Sequence, residues 1–380
     1  MTDVRYFDHA ATTPLHPQVV DAMQPYLHEH FGNPSSFHRY GRAARAAVET
    51  AREEMARLLG ITPRELIFTG GATEADNNAI ISMAFGLRQK GNHIITTAIE
   101  HHAVLHACEY LQSLGFDVTY LPVDETGMVH LETLKAAVRE DTILVSIIYG
   151  NNEVGTIQPI EEIGAFLREK EILFHTDAVQ VAGAIQLNVG QLPVDLLSLT
   201  AHKINGPKGI GALYVHKNVN FHPFIHGGAQ ERKRRAGTEN VAGIVGFAEG
   251  LKRSVHELDE RVAKYKAMRE AMLSVWSESG IEFAVNGHPE KFLPHILNVS
   301  FPTVDTETML MNLDIKGIAA ASGSACTSGS LEISHVLVAM GLPEEQASSA
   351  IRFSFGLGVD VEDAVHVAQT VVAIIKRIKP

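Results

Sequence analysis

Strand–helix alternation over residues 65–216 predicts an α/β protein with a mainly parallel sheet covered on both faces. A second observation is the helical pattern from Glu239 to Glu278, rich in Ala, Glu, Lys and Arg, after which strands become fewer and more widely spaced. That change of texture predicts a second, smaller α+β domain. A third is length: 380 residues exceed one ordinary core and suit two.

The elements follow in order. Leu66–Thr69 is β-rich and precedes a helical stretch from Glu74 to Phe85. His93–Thr96 precedes Ala103–Leu114, and Asp117–Val123 precedes Leu131–Val138. The run Ile143–Ile148 is apolar enough for a strand buried on both faces, and Ile160–Lys170 is the helix after it. Leu173–His175, Leu196–Leu199 and Gly211–Val215 complete the set. Beyond the long helical pattern, Ile296–Phe301 and Ile351–Phe355 read as strands and Val361–Lys376 as a last helix. No repeat, low-complexity tract or Pro/Ser linker interrupts the chain, so the two domains are expected to be closely apposed.

Composition excludes several classes. With 45% hydrophobic and 20% charged residues the chain is globular rather than disordered. No apolar run approaches the ~18 residues that span a bilayer, and Met1–Arg5 lacks a basic region leading into an apolar core. A cytoplasmic protein without membrane contact is expected. The formal charge of −12 opposes non-specific binding to nucleic acid, which rests on phosphate neutralisation. Two cysteines, Cys108 and Cys326, make neither a disulfide framework nor a Cys-rich metal site. The histidines show no ligand spacing such as His-Glu-x-x-His, so no metal is expected.

In parallel sheets, ligands sit beyond the carboxyl ends of the strands. Gly70-Gly71-Ala72-Thr73-Glu74 opens a helix with small residues that let an anion reach free N–H groups, or it is a plain turn with Thr73 as cap. Glu100-His101-His102 offers a histidine over a ligand or an exposed one; adjacent histidines face apart and make no metal pair. Asn151-Asn152 in Gly150–Gly155 forms a turn or donates to a ligand oxygen. Asp177, at the end of another apolar strand, is either a helix cap or a buried carboxylate awaiting a cation such as a protonated pyridine.

The sharpest local feature is Leu196–Lys203 followed by Gly206-Pro207-Lys208-Gly209. Lysine at the end of a buried strand is rare as filler, and desolvation lowers its pKa towards Schiff-base chemistry. Thr200 and His202 lie one strand repeat apart and can face one ligand. Lys208 is the rival, but its Gly/Pro turn favours exposure. Asp177, Lys203 and the Gly-Thr turn together suit pyridoxal phosphate: a partner for the ring nitrogen, an amine and a phosphate cup.

Ala320–Ser330 is a run of tiny residues around Cys326. Such a run builds no core and is expected to form a mobile loop carrying a reactive thiol. Cys108, in a helical pattern with Ala107 and Leu111, reads as structural. Arg352, a single cation in an alternating strand, has the fork for a substrate carboxylate, against a structural ion pair. The basic stretch Glu231–Glu239 lacks interleaved aromatics and reads as a solvated loop, with Gly237-Thr238 offering another phosphate donor.

Ordered motifs now accumulate: Asp8–Pro14 (DHAATTP), Gly32–Ser36 (GNPSS), Gly71–Glu74 (GATE), Glu100-His101 and Asn151–Gly155 (NNEVG). They continue through Asp177–Gln180 (DAVQ), His202-Lys203 with Gly206–Gly209, Arg235–Thr238 (RAGT), Ser322–Ser328 (SGSACTS) and Ile351–Ser354 (IRFS). Through these the chain resembles, over nearly its whole length, the cysteine desulfurases of the NifS/IscS type, which are class-V aminotransferase-like, fold-type I pyridoxal-phosphate enzymes. The resemblance implies a large domain over residues 13–259 with a mainly parallel seven-stranded sheet, and a smaller α+β domain of residues 1–12 and 260–380 carrying the Cys326 loop.

It also implies roles. Lys203 holds pyridoxal phosphate, His101 stacks on its ring and assists proton transfer, Asp177 pairs with the ring nitrogen and Gln180 contacts the phenolic oxygen. Ala72, Thr73, Thr200 and His202 bind the phosphate, joined by Thr238 from a second subunit of a homodimer. Asn152 and Arg352 hold the carboxylate of L-cysteine. Cys326 takes the sulfur as a persulfide, leaving L-alanine, for a protein acceptor in iron–sulfur cluster assembly or tRNA thiolation. Gln230 stands where relatives often carry His, and Ala321 where they carry Ser. The sequence stops at Pro380, where relatives often continue into a tail that docks an iron–sulfur scaffold, which leaves room for a tRNA-thiolating acceptor. The competing readings are a selenocysteine lyase or other pyridoxal-phosphate lyase, and a non-catalytic sulfur-relay scaffold, which retention of both Lys203 and Cys326 disfavours.

Overall fold

Seven strands form the central sheet, in the spatial order Leu66–Thr69, Gly211–Val215, Leu196–Thr200, Leu173–Asp177, Thr142–Ser146, His93–Thr97, Asp117–Leu121. The computed structural model describes residues 4–323 and 332–378. Gly211–Val215 runs antiparallel to both neighbours, and every other adjacent pair is parallel. Five of these strands are buried at every residue. That is the outcome when helices cover both faces, and it explains their unbroken apolar character. Asp117–Leu121, at one edge, is partly exposed.

Two early helices were not expected from the alternation pattern. Pro17–His28 and Arg39–Leu59 pack on Val241–His256. The second buries Ala44, Val48, Ala51, Met55 and Leu59, one stripe at helical spacing, and stops at Gly60 with φ +69°. The helix after Leu66–Thr69 runs from Ala72 to Leu87 with a π-helical stretch at Asn78–Ser82.

The helical pattern read as continuous from Glu239 to Glu278 is two helices, Val241–His256 and Leu258–Ser279, meeting at Glu257. The break follows from their cores. Ile244, Phe247 and Leu251 join the cluster under the large sheet, whereas Tyr265, Met268, Met272 and Trp276 join a second cluster with Phe7, Phe301, Phe353 and Phe355. That second core lies under a three-stranded antiparallel sheet, with Ile296–Ser300 between Ala284–Asn286 and Ala350–Ser354. Leu258–Ser279 packs there against the last helix, Val361–Ile378, and the Trp276 indole donates to Ala368 O at 3.2 Å.

The chain's start is drawn into this second layer. Arg5–Tyr6 pairs in parallel with Ile318–Ala319, and Ala10 N donates to Ser354 Oγ at 2.8 Å. From there residues 8–13 cross to the carboxyl edge of the large sheet, where Thr13 bonds to the carbonyl of His202. Among the described residues no helix is long and apolar enough to cross a membrane.

Candidate active site

Five strands of the large sheet end along one edge, and residues at or just after each end line a single cavity of about 710 Å³. Ala72 and Thr73 come from the first turn, His101 from the second, Asn152 from the third, Asp177 and Gln180 from the fourth, and Thr200, His202 and Lys203 from the fifth. Asp8, Ala10, Ala11 and Arg352 close it from the other layer. Of the expected site residues, ten line this space. Thr238 does not; it is exposed on its own chain. Cys326 lies outside the described residues. A larger cavity of about 1130 Å³ adjoins across Thr73 and His101. Lys203, Asp177 and Arg352 converge in the smaller one, which is the candidate active site.

Lys203 follows directly on its strand in a short 3₁₀ turn, Ala201–Lys203, held by Thr13 Oγ1 donating to His202 O at 2.7 Å. Its amine donates to Ala10 O at 2.5 Å and Ala11 O at 2.7 Å. Burial, and secondarily the charge of Arg352, lower it to about 8. Lys208 is exposed at the cavity mouth.

Asp177 is buried with one oxygen accepting from Val179 N at 2.9 Å, so it caps a turn and still presents its carboxyl to the cavity. Burial pushes it up to about 6, against the opposing effects of that bond and of Lys203. A carboxyl so placed is relieved by a cation. Gln180 spans Ala10 O at 2.9 Å and His295 Nε2 at 3.2 Å. His101 opens onto the cavity and caps its helix through Ala103 N, 3.1 Å away. The protein crowded around it, then Lys203's charge, hold it neutral near 4. His202, whose Nδ1 lies 3.2 Å from Thr12 Oγ1, is also lowered to about 4 by burial.

Arg352 is 4% exposed, and its fork is two-thirds engaged: Nη1 donates to Asn152 O at 2.9 Å and Nη2 to Asp8 Oδ1 at 2.8 Å. Its Nε is buried without a partner among the described residues. The structural ion pair is thus realised, and one N–H of the fork is left over. The Asn pair divides its work. Asn151 is buried and bonds Ile99 O, Glu153 N and Val154 N, shaping the turn, while Asn152 opens to the cavity.

Sequence reasoning gave no role to three acidic residues here. Asp8 steadies Arg352. Asp76 is fully buried, lines the cavity and lies 3.6 Å from His175 Nε2; burial and the nearby Asp177 raise its pKa well above the usual carboxylate range. Glu100, raised to about 8 by burial, accepts from Thr97 Oγ1 at 2.7 Å and Ile148 N at 2.8 Å, bracing the turn that presents His101.

The stretch Glu231–Arg235 is solvated only in part: Arg232 and Lys233 are exposed, but its two ends are tied into the fold. Glu231 is buried, takes both Nη atoms of Arg52 and accepts from Phe68 N at 3.0 Å. Arg235 forks onto Glu74 at 2.8 and 3.0 Å, and Glu74 also holds Gly70 N at 2.7 Å. These bonds brace the glycine turn. A basic side chain in a loop looks solvated until its acidic partner, here distant in sequence, is known.

The site fits pyridoxal phosphate. An amine with depressed basicity faces a buried carboxyl that needs a cation, and the glycine turn is open, since a Cβ at Gly71 meets nothing within 4 Å. The chain belongs to the aminotransferase class-V family, whose model matches residues 5–367, and is accordingly a pyridoxal-phosphate enzyme. The putative cysteine desulfurase IscS 1 of Bacillus subtilis is 51% identical over 374 residues, covering 98% of this chain and 99% of that one. A solved NifS-like protein superposes with a TM-score of 0.93 at 40% identity, over 98% of this chain and 100% of that one. The structure of SspA in complex with cysteine gives 0.82 at 37%, over 92% and 98%. Within the class-V family this chain is one of the cysteine desulfurases of the IscS and NifS type.

Proposed function

We propose that the cavity around Lys203 takes L-cysteine and passes its sulfur to Cys326, leaving L-alanine. The chain is a cysteine desulfurase, and the observation that supports this assignment of residues is the convergence of ten expected side chains on one cavity with a desolvated amine at its centre. Pyridoxal phosphate, when bound, supplies an electron sink for the substrate's α-carbon.

The chain's residues do the rest. Ala72, Thr73, Thr200 and His202 hold the phosphate, with Thr238 supplied by a second copy. Asp177 fixes a positive ring nitrogen, and Gln180 and His101 orient the ring. Arg352 offers its unpartnered Nε, and Asn152 its amide, to the substrate carboxylate. Lys203, lowered to about 8, reaches the free base more readily than an ordinary lysine; it anchors the coenzyme and moves the α-proton. His101, neutral in this setting, can accept a proton. Residues 13–259 form the coenzyme-binding domain in this reading, and the remainder forms the domain that carries Cys326. The loaded thiol then serves a protein acceptor in iron–sulfur assembly or tRNA thiolation, in the cytoplasm.

The test is direct. Purified protein is expected to show the visible absorbance of bound coenzyme and to release one alanine per sulfur labelled on Cys326 from radiolabelled cysteine. Lys203→Ala is expected to be colourless without added coenzyme, and Cys326→Ser coloured but unlabelled. Full alanine production by Cys326→Ser in the presence of reductant would show that another group accepts the sulfur.

A further inference from the structure

Glu153 has no part in the site as described, yet its carboxyl sits at an unusual junction. It is 2% exposed, and its Oε2 accepts the hydroxyl hydrogen of Ser334. The same oxygen lies against Gly323: a Cβ on that residue would come within 2.6 Å of it, and Gly323 has φ +94°. One buried carboxyl therefore touches residue 323 and residue 334, on either side of the segment that contains Cys326.

Both ends are tied to the substrate corner by further bonds. On the leading side, Ala321 exchanges backbone bonds with Arg352, at 3.2 and 2.7 Å. On the trailing side, Ser334 caps the short helix His335–Ala339 through Val336 N, and His335 Nε2 lies 3.0 Å from Glu100 O. Glu153 itself is fixed by its backbone: its N–H donates to Asn151 Oδ1 at 2.8 Å and its carbonyl accepts from Asn298 Nδ2 at 3.2 Å. Its neighbour Asn152 accepts from Arg352. A single turn thus touches the carboxylate-binding arginine and both flanks of the cysteine segment.

We infer that Glu153 is a positioning residue for sulfur transfer: its buried carboxyl fixes Gly323 and Ser334, the described residues on either side of Cys326, relative to Arg352. The inference rests on the reading of Cys326 as sulfur acceptor. Placement matters because transfer between two sulfur atoms demands near-contact, and a misplacement of ~1 Å can cost ~100-fold. A carboxyl also tolerates no Cβ at position 323, so a side chain there must displace it.

The experiment uses holoenzyme and two readouts, the absorbance change on adding cysteine and the rate of label transfer to Cys326. Glu153→Ala is expected to keep the absorbance change and its cysteine dependence within about twofold, while label transfer slows by about tenfold or more. Glu153→Gln, which retains an oxygen for Ser334, is expected to recover most of that rate. Labelling by Glu153→Ala at the wild-type rate overturns the inference and leaves the desulfurase reading intact. Should Glu153→Ala lose bound coenzyme, Ser334→Ala decides in the same assay: slowed labelling supports the inference, and an unchanged rate overturns it. A wild-type protein whose Cys326 takes no label overturns both readings.

Discussion

Arg352 and Asp8 meet at 2.8 Å, from opposite ends of the chain, and leave the arginine's Nε as a buried donor without a partner among the described residues. Asp8 holds the guanidinium in place, and in the proposed function the spare N–H takes the substrate carboxylate. Hydrogen bonds to charged groups contribute about 1.5–3 kcal/mol. Arg352→Ala is therefore expected to lower kcat/KM for cysteine by about 10- to 100-fold or more. Asp8→Asn, which keeps an acceptor, is expected to raise KM by only a few fold. Steady-state alanine production measures both, and an unchanged KM in Arg352→Ala would remove this residue from substrate binding.

The lowered basicity of Lys203 predicts a pH profile. The amine reacts with an aldehyde as the free base, so coenzyme capture by stripped protein should speed up as pH rises and level off above about 8. Arg352 is the second cause of the lowering, after burial. Arg352→Gln should accordingly move the midpoint upward. Stopped-flow absorbance across pH 6–10 (roughly the accessible range around a lysine of this kind) measures the shift; an identical midpoint would assign the whole lowering to burial.

Stability should hinge on Arg52 and Glu231, both about 3% exposed at their side chains. Removing one partner of a buried pair costs about 3–5 kcal/mol. Glu231→Ala also strands Phe68 N. A fall in Tm is expected, together with weaker coenzyme retention, because Arg235, on the same stretch, braces the glycine turn through Glu74. The double substitution Arg52→Met with Glu231→Leu should recover much of the lost stability by calorimetry, since an apolar pair leaves no stranded charge.

Cys108 should be inert. It is fully buried, and burial pushes its thiol far up. Iodoacetamide should reach it in denatured protein and not in native protein, and Cys108→Ala should keep sulfur transfer within about twofold. Loss of transfer in that variant would give this thiol a place in the relay.

Sequence reasoning found the strand ends because parallel sheets put small residues, amides and stray charges after apolar runs, a pattern that local reading detects. Lys203 and Asp177 were legible for that reason. The stripe Ala44, Val48, Ala51, Met55 and Leu59 was equally periodic, but the Arg39–Leu59 helix lies before the strand–helix alternation begins and contributes no site residue. The break at Glu257 was hidden because both helices share a composition and differ only in which core they enter. Asp8, Asp76 and Glu100 went without roles since a carboxylate declares its purpose through its partner, and theirs come from distant segments or the neighbouring strand. Glu231 was misjudged on the same ground: nothing beside it in sequence announces Arg52.

The crossing made by residues 8–13 sets a timetable for the newborn protein. Ala10 and Ala11 furnish the oxygens that receive the lysine amine, while Ser354 and Arg352 tether that first stretch. Residues 8–13 must therefore wait until the strand Ala350–Ser354 has been made before the amine has its finished surroundings. A chain truncated before Arg352 lacks these tethers and is expected to capture coenzyme poorly, which the absorbance of the purified protein measures.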